Sequence, residues 1–153
     1  MQYKNAYWLW LSAAVILLDQ VSKQLVYRNL DWFQSIPLMP SLNLVHLRNT
    51  GAAFSMFSNA PAWVFVSIGL VVSIGILIWL RLHRTDQRLV AVSLCLILGG
   101  ALGNVIDRVT RGYVIDFIDF YVEYDGGSWH FAAFNVADMA ITVGAGLMIL
   151  DAI

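Results

Sequence analysis

Four aspartates in this 153-residue chain are candidates for acid–base chemistry. Asp138 stands at the threshold of the apolar run 139–150, and Asp107, Asp116 and Asp119 precede it. A carboxylate at the mouth of a membrane helix is costly, so it usually faces protein or water and has a function. Two carboxylates brought together could hydrolyse a bond by general acid–base catalysis. The spacing does not decide which of the three upstream aspartates is the partner of Asp138.

Asp116 and Asp119 differ in the direction that a strand would give their side chains. They flank Phe117-Ile118, and strict alternation along a strand places them on opposite faces. We therefore expect only one of the two to face a given site. The acids that follow, Glu123 and Asp125, are expected to be solvated in a loop.

Polar residues near the ends of two apolar runs could support such a site. Asn104, Asp107 and Arg108 are three and four residues apart, which puts them on one face of a helix. The alternative is a surface ion pair of Asp107 with an arginine one turn later, at a helix end in water. Asp19 and Lys23, at positions i and i+4, either support the site or simply close the first helix with an ion pair.

Other signatures of hydrolytic enzymes are missing from the sequence. His46, His83 and His130 are scattered and form no His-Glu-x-x-His motif, so a zinc protease is not indicated. A serine hydrolase of the Gly-x-Ser-x-Gly type has no support either. We expect the histidines at the membrane interface, Cys95 as a packed thiol, and neither a metal nor a cofactor. A net charge of −1 gives no indication of nucleic-acid binding.

The elements that must position these side chains are membrane helices. Hydrophobic residues make up 59% of the chain and charged residues 12%, whereas soluble domains contain about 25% charged residues. Four apolar segments approach the roughly 20 residues that a membrane-spanning helix needs. They cover about residues 6–25, 61–80, 89–106 and 134–153. We predict an all-α membrane protein with four transmembrane helices in one domain over residues 1–153.

Two connections between these helices, residues 31–60 and 107–131, are too long for simple turns. Polar and apolar residues partly alternate in Ser41–Arg48, as in a short strand, and Asn49-Thr50-Gly51 is typical of a turn. Asp125-Gly126-Gly127 predicts a turn between two short strands. We therefore expect a small extracytoplasmic β-like subdomain and an interfacial loop beside the four helices.

Positive charge predicts the orientation of the helices. The short connection Arg81–Arg88 contains Arg81, His83, Arg84 and Arg88 against a single acid, Asp86. By the positive-inside rule this connection is cytoplasmic. Four spans then place both termini in the cytoplasm and the two long connections outside.

Five blocks of the sequence together resemble a known family. They are Asp19-Gln20-Val21-Ser22-Lys23, Arg48-Asn49-Thr50-Gly51-Ala52-Ala53-Phe54, Gly103-Asn104-Val105-Ile106-Asp107-Arg108, Val114-Ile115-Asp116-Phe117 and Phe134-Asn135-Val136-Ala137-Asp138. In this order they are similar to the signature blocks of the lipoprotein signal peptidase family, also called signal peptidase II. The match covers nearly the whole chain, and five blocks together are highly specific. Two features depart from the family pattern: the segment Tyr121–Trp129 is longer, and the basic C-terminal tail is missing.

The resemblance implies a bacterial inner-membrane aspartic peptidase that removes signal peptides from prolipoproteins. Cleavage would fall just before a cysteine carrying diacylglycerol, near the outer, periplasmic face of the membrane. Asp116 and Asp138 would form the catalytic dyad. Asn49, Asn104, Arg108 and Asn135 would contact the substrate or support the dyad, and Asp19 would give structural support. The partners implied are diacylglyceryl-modified prolipoproteins, membrane lipid and globomycin-type inhibitors.

A division of labour between the two aspartates follows from general chemistry. Two carboxylates about 3 Å apart share a proton. Asp138 is predicted in the first turn of a helix, where the macrodipole favours negative charge, so we expect it to be the anion and Asp116 to be protonated. Asn135 could hydrogen-bond a carboxylate, and Arg108 could lower the cost of charge. Gly51, free to take unusual backbone angles, would let its turn hold an extended peptide.

Two other classes of function compete with a peptidase. Intramembrane acids often mark the pathway of a transporter or channel, but here the polar residues cluster at the outer ends of the first, third and fourth spans. The inner half of the bundle offers only Asp151. An assembly scaffold would need no convergent acids and asparagines.

Overall fold

The computed structural model describes residues 7–51, 59–82 and 87–153. The helices are α1 Leu9–Asn29, α2 Ala62–Leu82, α3 Arg88–Arg111 and α4 Val136–Ala152. The strands are β1 Ser35–Met39, β2 Leu42–Asn49, β3 Val114–Tyr124 and β4 Gly127–His130. Outside the described residues lie Ala6 of the first predicted span, Ala52–Phe54 of the second sequence block, and His83, Arg84 and Asp86 of the predicted cytoplasmic connection.

Three helices, α1, α2 and α3, are long and apolar enough to cross a membrane. On α2 the side chains of Ile68, Val71 and Ile78 are more than half exposed. A contiguous apolar surface of this kind is unfavourable in water but suits the hydrocarbon interior of a bilayer. α4 is also apolar but has 17 residues. The predicted second span, 61–80, agrees closely with α2, and the first and fourth agree with α1 and α4 to within a few residues.

Small residues on α3 allow the other helices to pack closely against it. A Cβ atom added at Gly99 would lie 2.7 Å from the Cβ of Val15 on α1. One added at Gly103 would lie 2.6 Å from Oδ2 of Asp19, also on α1, and 3.4 Å from the Cβ of Ala137 on α4. Small residues commonly allow such close approach between membrane helices. α3 therefore brings the polar ends of α1 and α4 to the same place.

α3 extends further than predicted. Its expected end was residue 106, where apolar residues give way to polar ones, but the helix continues to Arg111. It ends at Gly112, which has a φ of +81° and donates its amide to the carbonyl of Arg108, as glycine C-caps commonly do. In this last part the buried carboxylate of Asp107 pairs with Lys23 of α1 and with Arg111.

The segments between α1 and α2 and between α3 and α4 form a four-stranded antiparallel sheet in the order β1-β2-β3-β4. The strand predicted at Ser41–Arg48 is confirmed as β2. The predicted turn at Asp125–Gly127 is confirmed between β3 and β4, where Gly126 has a φ of +107°. β3, however, has 11 residues and is not short. The chain thus contains more regular β-structure than an all-α class with a small β-like addition implies.

A bulge interrupts β3 between the two aspartates that it contains. The amides of Phe117 and Ile118 both donate to the carbonyl of Phe134, at 3.1 and 2.9 Å, which is the hydrogen-bond pattern of a β-bulge. The extra residue shifts the alternation, so Asp116 and Asp119 line the same cavity. The expectation that only one of them could face a given site is therefore wrong.

Candidate active site

The two aspartates of the predicted dyad belong to different elements. Asp116 is buried on β3, and Asp138 lies in the first turn of α4. Asn135 is the N-cap of this helix, and its side chain accepts a hydrogen bond from the Asp138 amide at 2.9 Å. The Asp138 carboxylate accepts in turn from the Asn135 amide at 3.2 Å, which completes a capping box. The predicted position of Asp138 in the first helical turn is confirmed.

Three asparagine side chains hold the two carboxyl groups in place. Asn135 Nδ2 donates to Asp116 Oδ1 at 2.7 Å. Asn49 Nδ2 donates to Asp116 Oδ2 at 3.0 Å, and Asn104 Nδ2 donates to Asp138 Oδ1 at 2.8 Å. Asn135 therefore contacts both aspartates, and the expectation that it hydrogen-bonds a carboxylate is confirmed. The network fixes the orientation of each carboxyl group.

The environment of Asp116 favours its protonated form. Burial raises the pKa of Asp116, and the negative charge of Asp138 raises it further, to about 7. Hydrogen bonds from Asn49 and Asn135 oppose the shift without cancelling it. At neutral pH the group therefore carries a proton in a large fraction of molecules and can donate it. This is the direction that we expected for Asp116.

The carboxylate of Asp107 is engaged with two cations. Its Oδ1 lies 2.6 Å from Arg111 Nη1 and its Oδ2 lies 3.0 Å from Lys23 Nζ. The alternative interpretation, a surface ion pair of Asp107 with an arginine one turn later, named the correct partner, Arg111. The pair is not on the surface, however, because the Asp107 side chain is fully buried.

Asp119 is likewise engaged. Its Oδ2 lies 2.9 Å from His130 Nδ1 and accepts a hydrogen bond from Asn43 Nδ2 at 3.0 Å. The carboxyl group of Asp116, by contrast, is connected to Asp138 through Asn135, which hydrogen-bonds both residues.

Asp19 and Lys23 form a buried ion pair that also reaches the site. The two charged groups are 2.8 Å apart, and both side chains are fully buried. Lys23 Nζ also donates to Asn104 Oδ1 at 2.9 Å, and Asp19 Oδ1 accepts from the amide of Ala137 at 2.9 Å. The ion pair therefore closes the end of α1 and also holds Asn104 and the first turn of α4.

Arg108 reaches the segment that follows β2. Its Nη2 donates to the carbonyl oxygen of Gly51 at 2.7 Å, and its guanidinium carbon lies 5.0 Å from the ring centre of Phe65. The predicted turn is confirmed, because Asn49 Oδ1 accepts from the Gly51 amide at 2.9 Å. That this turn holds an extended peptide stays a prediction.

Two cavities meet at the aspartates. The sheet cavity, of about 590 Å³, is lined by Asp116, Asp119 and His130 among others. The helix cavity, of about 670 Å³, is lined by Asp138 and by apolar residues that include Met139, Ile141 and Val143 of α4. Asn49 and residues 131–133 line both cavities. An extended chain crossing from one cavity to the other would pass the two carboxyl groups.

Comparison with known proteins decides the family. Residues 11–153 match the sequence profile of a family described as signal peptidase (SPase) II. The chain belongs to the signal peptidase II family. Its relatives include lipoprotein signal peptidases from Photorhabdus laumondii (45% identical, covering 94% of this chain and 86% of the relative) and Alteromonas mediterranea (47%, covering 94% and 78%). One from Escherichia coli O157:H7 is 44% identical and covers 94% and 87%.

Solved structures of bacterial membrane enzymes have the same fold. One, at 2.3 Å resolution, superposes with a TM-score of 0.85 at 31% identity and covers 95% of this chain and 87% of its own. A second, at 1.9 Å resolution, has a TM-score of 0.83 at 31% identity and covers 97% and 93%. Together with the apolar helices, these similarities show that the chain is a membrane protein.

Lys23 makes more contacts near the site than the sequence predicts. It contacts Asp19, Asp107 and Asn104, whereas its i,i+4 spacing predicts only the contact with Asp19. His46 is buried, with Nδ1 2.9 Å from the carbonyl oxygen of Leu30, and its place at the membrane interface stays a prediction.

Proposed function

We propose that this chain is an aspartic endopeptidase that removes signal peptides from prolipoproteins, cleaving just before the diacylglyceryl-modified cysteine. Membership in the signal peptidase II family supports the peptidase activity and the substrate class. The observation that carries the aspartic mechanism is the arrangement of Asp116 and Asp138. The two carboxyl groups come from β3 and α4, are joined through Asn135, and lie between two cavities.

In this mechanism the two carboxyl groups exchange protons with water and substrate. Asp138, the anion, accepts a proton from a water molecule whose oxygen attacks the scissile carbonyl carbon. Asp116 donates its proton to the carbonyl oxygen, which gives a neutral tetrahedral intermediate. Asp138 then passes its proton to the leaving amine as the C–N bond breaks, and Asp116 recovers a proton from the new carboxyl group. One water molecule is consumed, and the dyad returns to its starting state.

The surrounding polar residues take supporting roles in the proposal. Asn49, Asn104 and Asn135 orient the carboxyl groups through the hydrogen bonds described above. Arg108 binds a substrate carbonyl from the wall of the helix cavity, and the Gly51 carbonyl that it contacts holds its guanidinium in place. Asp19 fixes the first turn of α4 through the amide of Ala137.

The proposed setting is the bacterial inner membrane. α4 crosses the membrane as a fourth span beside α1, α2 and α3, in one membrane domain with both termini in the cytoplasm. The sheet and the interfacial segments then lie at the periplasmic face, where membrane lipid borders the helix cavity. Globomycin-type inhibitors bind in the cavities beside the dyad. The positive charge predicted for the connection between α2 and α3 supports this orientation.

The decisive test is cleavage of a prolipoprotein by the purified enzyme in detergent. We expect Asp116→Asn and Asp138→Asn each to lower the cleavage rate by about 10³-fold or more, because each variant removes one half of the proton exchange. Glu123→Gln is the matched control, since Glu123 is an exposed acid on the β3–β4 hairpin. Both dyad variants should keep the melting temperature of the wild type to within a few degrees.

Two further comparisons separate the proposed peptidase from a transporter or a scaffold. The wild-type enzyme should cleave a prolipoprotein with diacylglyceryl-cysteine but not the unmodified form, and globomycin should block the reaction. Substantial turnover by either folded dyad variant would rule out the dyad. Absence of any cleavage by the wild type would rule out the proposed function.

A further inference from the structure

The sheet cavity contains an acidic group that the proposed chemistry does not use. Asp119 lines this cavity, and its side chain is 8% exposed. His130 Nδ1 lies 3.0 and 2.9 Å from the two oxygens of the Asp119 carboxylate, and Asn43 Nδ2 donates to Oδ2. The His130 ring, about half exposed, stacks on Tyr121 with ring centres 5.4 Å apart. The Asp119–His130 pair is therefore a fixed polar feature of the cavity wall.

The distance along β3 relates this pair to the dyad. Asp119 follows Asp116 by three residues, which is about 10 Å along a strand. The bulge at Phe117–Ile118 turns both side chains to the sheet cavity. An extended substrate advances at the same rise per residue. With its scissile bond at Asp116, the substrate would bring a residue three or four positions away to the Asp119–His130 pair.

The two cavities differ in the part of a substrate that they suit. The helix cavity follows α4 and is lined mainly by apolar side chains, so it suits an apolar signal sequence or lipid. The sheet cavity has carboxylate, histidine and arginine side chains in its wall, so it suits the polar mature polypeptide. The residue near Asp119 is then on the mature side of the scissile bond.

We propose that the Asp119–His130 pair is a specificity subsite for the third or fourth residue of the mature chain, and that it prefers lysine or arginine to a carboxylate. This inference rests on the proposed function. A cationic side chain would donate a charge-assisted hydrogen bond to Asp119, whereas a carboxylate would face a like charge in the cavity.

The side chains around Asp119 are compatible with a preference for lysine or arginine. His130 acts as a positioning residue, because it holds the Asp119 carboxylate in one orientation. Arg48 is a cation in the same cavity wall, but it lies opposite Ile115, at the Asp116 end of the strand pair. There its guanidinium stacks on the rings of Trp32 and Tyr113, at 4.4 and 4.9 Å.

The test is a position scan with short peptides that contain diacylglyceryl-cysteine. Lysine, alanine or glutamate is placed at one of mature positions 2 to 5, and kcat/KM is measured for each peptide. We expect the ratio of kcat/KM for lysine to that for glutamate to be about fivefold or more at position 3 or 4 and near one elsewhere. A ratio near one at all four positions, or a preference only at position 2, would overturn the inference.

Variants of the pair test the assignment to Asp119. In Asp119→Asn the lysine-to-glutamate ratio should fall toward one, whatever happens to the overall rate, and in His130→Gln it should fall partly. Glu123→Gln, which changes an acid on the same hairpin, should keep the wild-type ratio. An unchanged ratio in folded Asp119→Asn would overturn the assignment. If the wild type cleaves none of the peptides, the proposed function itself fails.

Discussion

The proton of Asp116 connects the electrostatics of the site with its chemistry. Its pKa of about 7 is well above the ordinary value near 3.9, because the group is buried beside Asp138. Between these two pH values the native state keeps a proton that the unfolded chain releases. The contribution of Asp116 to stability is therefore complete below about pH 4 and is lost as the pH rises through 7.

The same group predicts how activity depends on pH. We expect kcat/KM to fall as the pH rises through about 7, because ionised Asp116 can no longer donate a proton. Asn49→Ala removes a hydrogen bond that lowers the pKa of Asp116, so the fall should move to higher pH. The measurement is the pH profile of lipid-modified peptide cleavage in micelles.

The matched control for this shift is Asn43→Ala. Asn43 donates to Asp119 rather than to Asp116, so its removal should leave the position of the alkaline limb unchanged. A limb that moves to lower pH in Asn49→Ala would contradict the role assigned to this hydrogen bond.

Among the secondary-structure elements, α1 and α3 are joined by a buried ionic cluster. Lys23 is the cation between the carboxylates of Asp19 and Asp107, and all three side chains are fully buried. Lys23→Met leaves both carboxylates without this cation. We expect a loss of about 3–5 kcal/mol in the free energy of unfolding, measured by denaturant titration in mixed micelles.

Arg111→Met is the control for the lysine variant. Arg111 pairs with the same Asp107, but its side chain is 19% exposed, so solvent compensates part of the loss. Its effect should be clearly smaller than that of Lys23→Met. Equal losses in the two variants would show that burial of the lysine is not the decisive factor.

The close contact of α1 with α3 gives a second prediction about packing. In Gly99→Ala the new methyl group would lie 2.7 Å from Val15 Cβ and 2.9 Å from the carbonyl oxygen of Ser12. Since neither atom can move freely, we expect a destabilisation of about 1–3 kcal/mol. Gly146→Ala on α4 is the control, because its methyl group meets nothing within 4 Å. Alanine favours helix there, so thermal unfolding should show a gain of up to about 1 kcal/mol. A stabilised Gly99→Ala would contradict the close packing.

For the molecule as a whole, the proposed topology places the β3–β4 hairpin on the periplasmic side of the membrane and the end of α4 on the cytoplasmic side. In a Cys95→Ser background, Glu123→Cys should react with a membrane-impermeant maleimide applied from the periplasmic side. Asp151→Cys should react only after the membrane is permeabilised. Both positions are exposed, so access of the reagent is the only difference that matters. Labelling of both positions from the periplasm would contradict four spans with cytoplasmic termini.

Local patterns predicted most of the elements but not their irregularities. The apolar runs located all four helices, and the glycine turn located the β3–β4 hairpin. The end of α3 was missed because polar residues look like a helix end unless their buried partners are known. The bulge in β3 was missed because it depends on Phe134, a residue of another segment that accepts two adjacent hydrogen bonds. Regular alternation is the only rule that a strand sequence supplies by itself.

The sequence by itself determined that Asp138 begins an apolar helix, since this depends on neighbouring residues and on the cost of a carboxylate near lipid. The spacing of the acids left Asp107, Asp116 and Asp119 possible as partners, and the resemblance of the five blocks indicated Asp116. Only the tertiary structure decided which side chains surround each of the three carboxyl groups. Lys23 and Arg111 engage Asp107, His130 engages Asp119, and Asn135 links Asp116 to Asp138. The free energy of a buried charge depends on its neighbours in space, and those neighbours are decided by the packing of α1, α3 and α4 against the sheet.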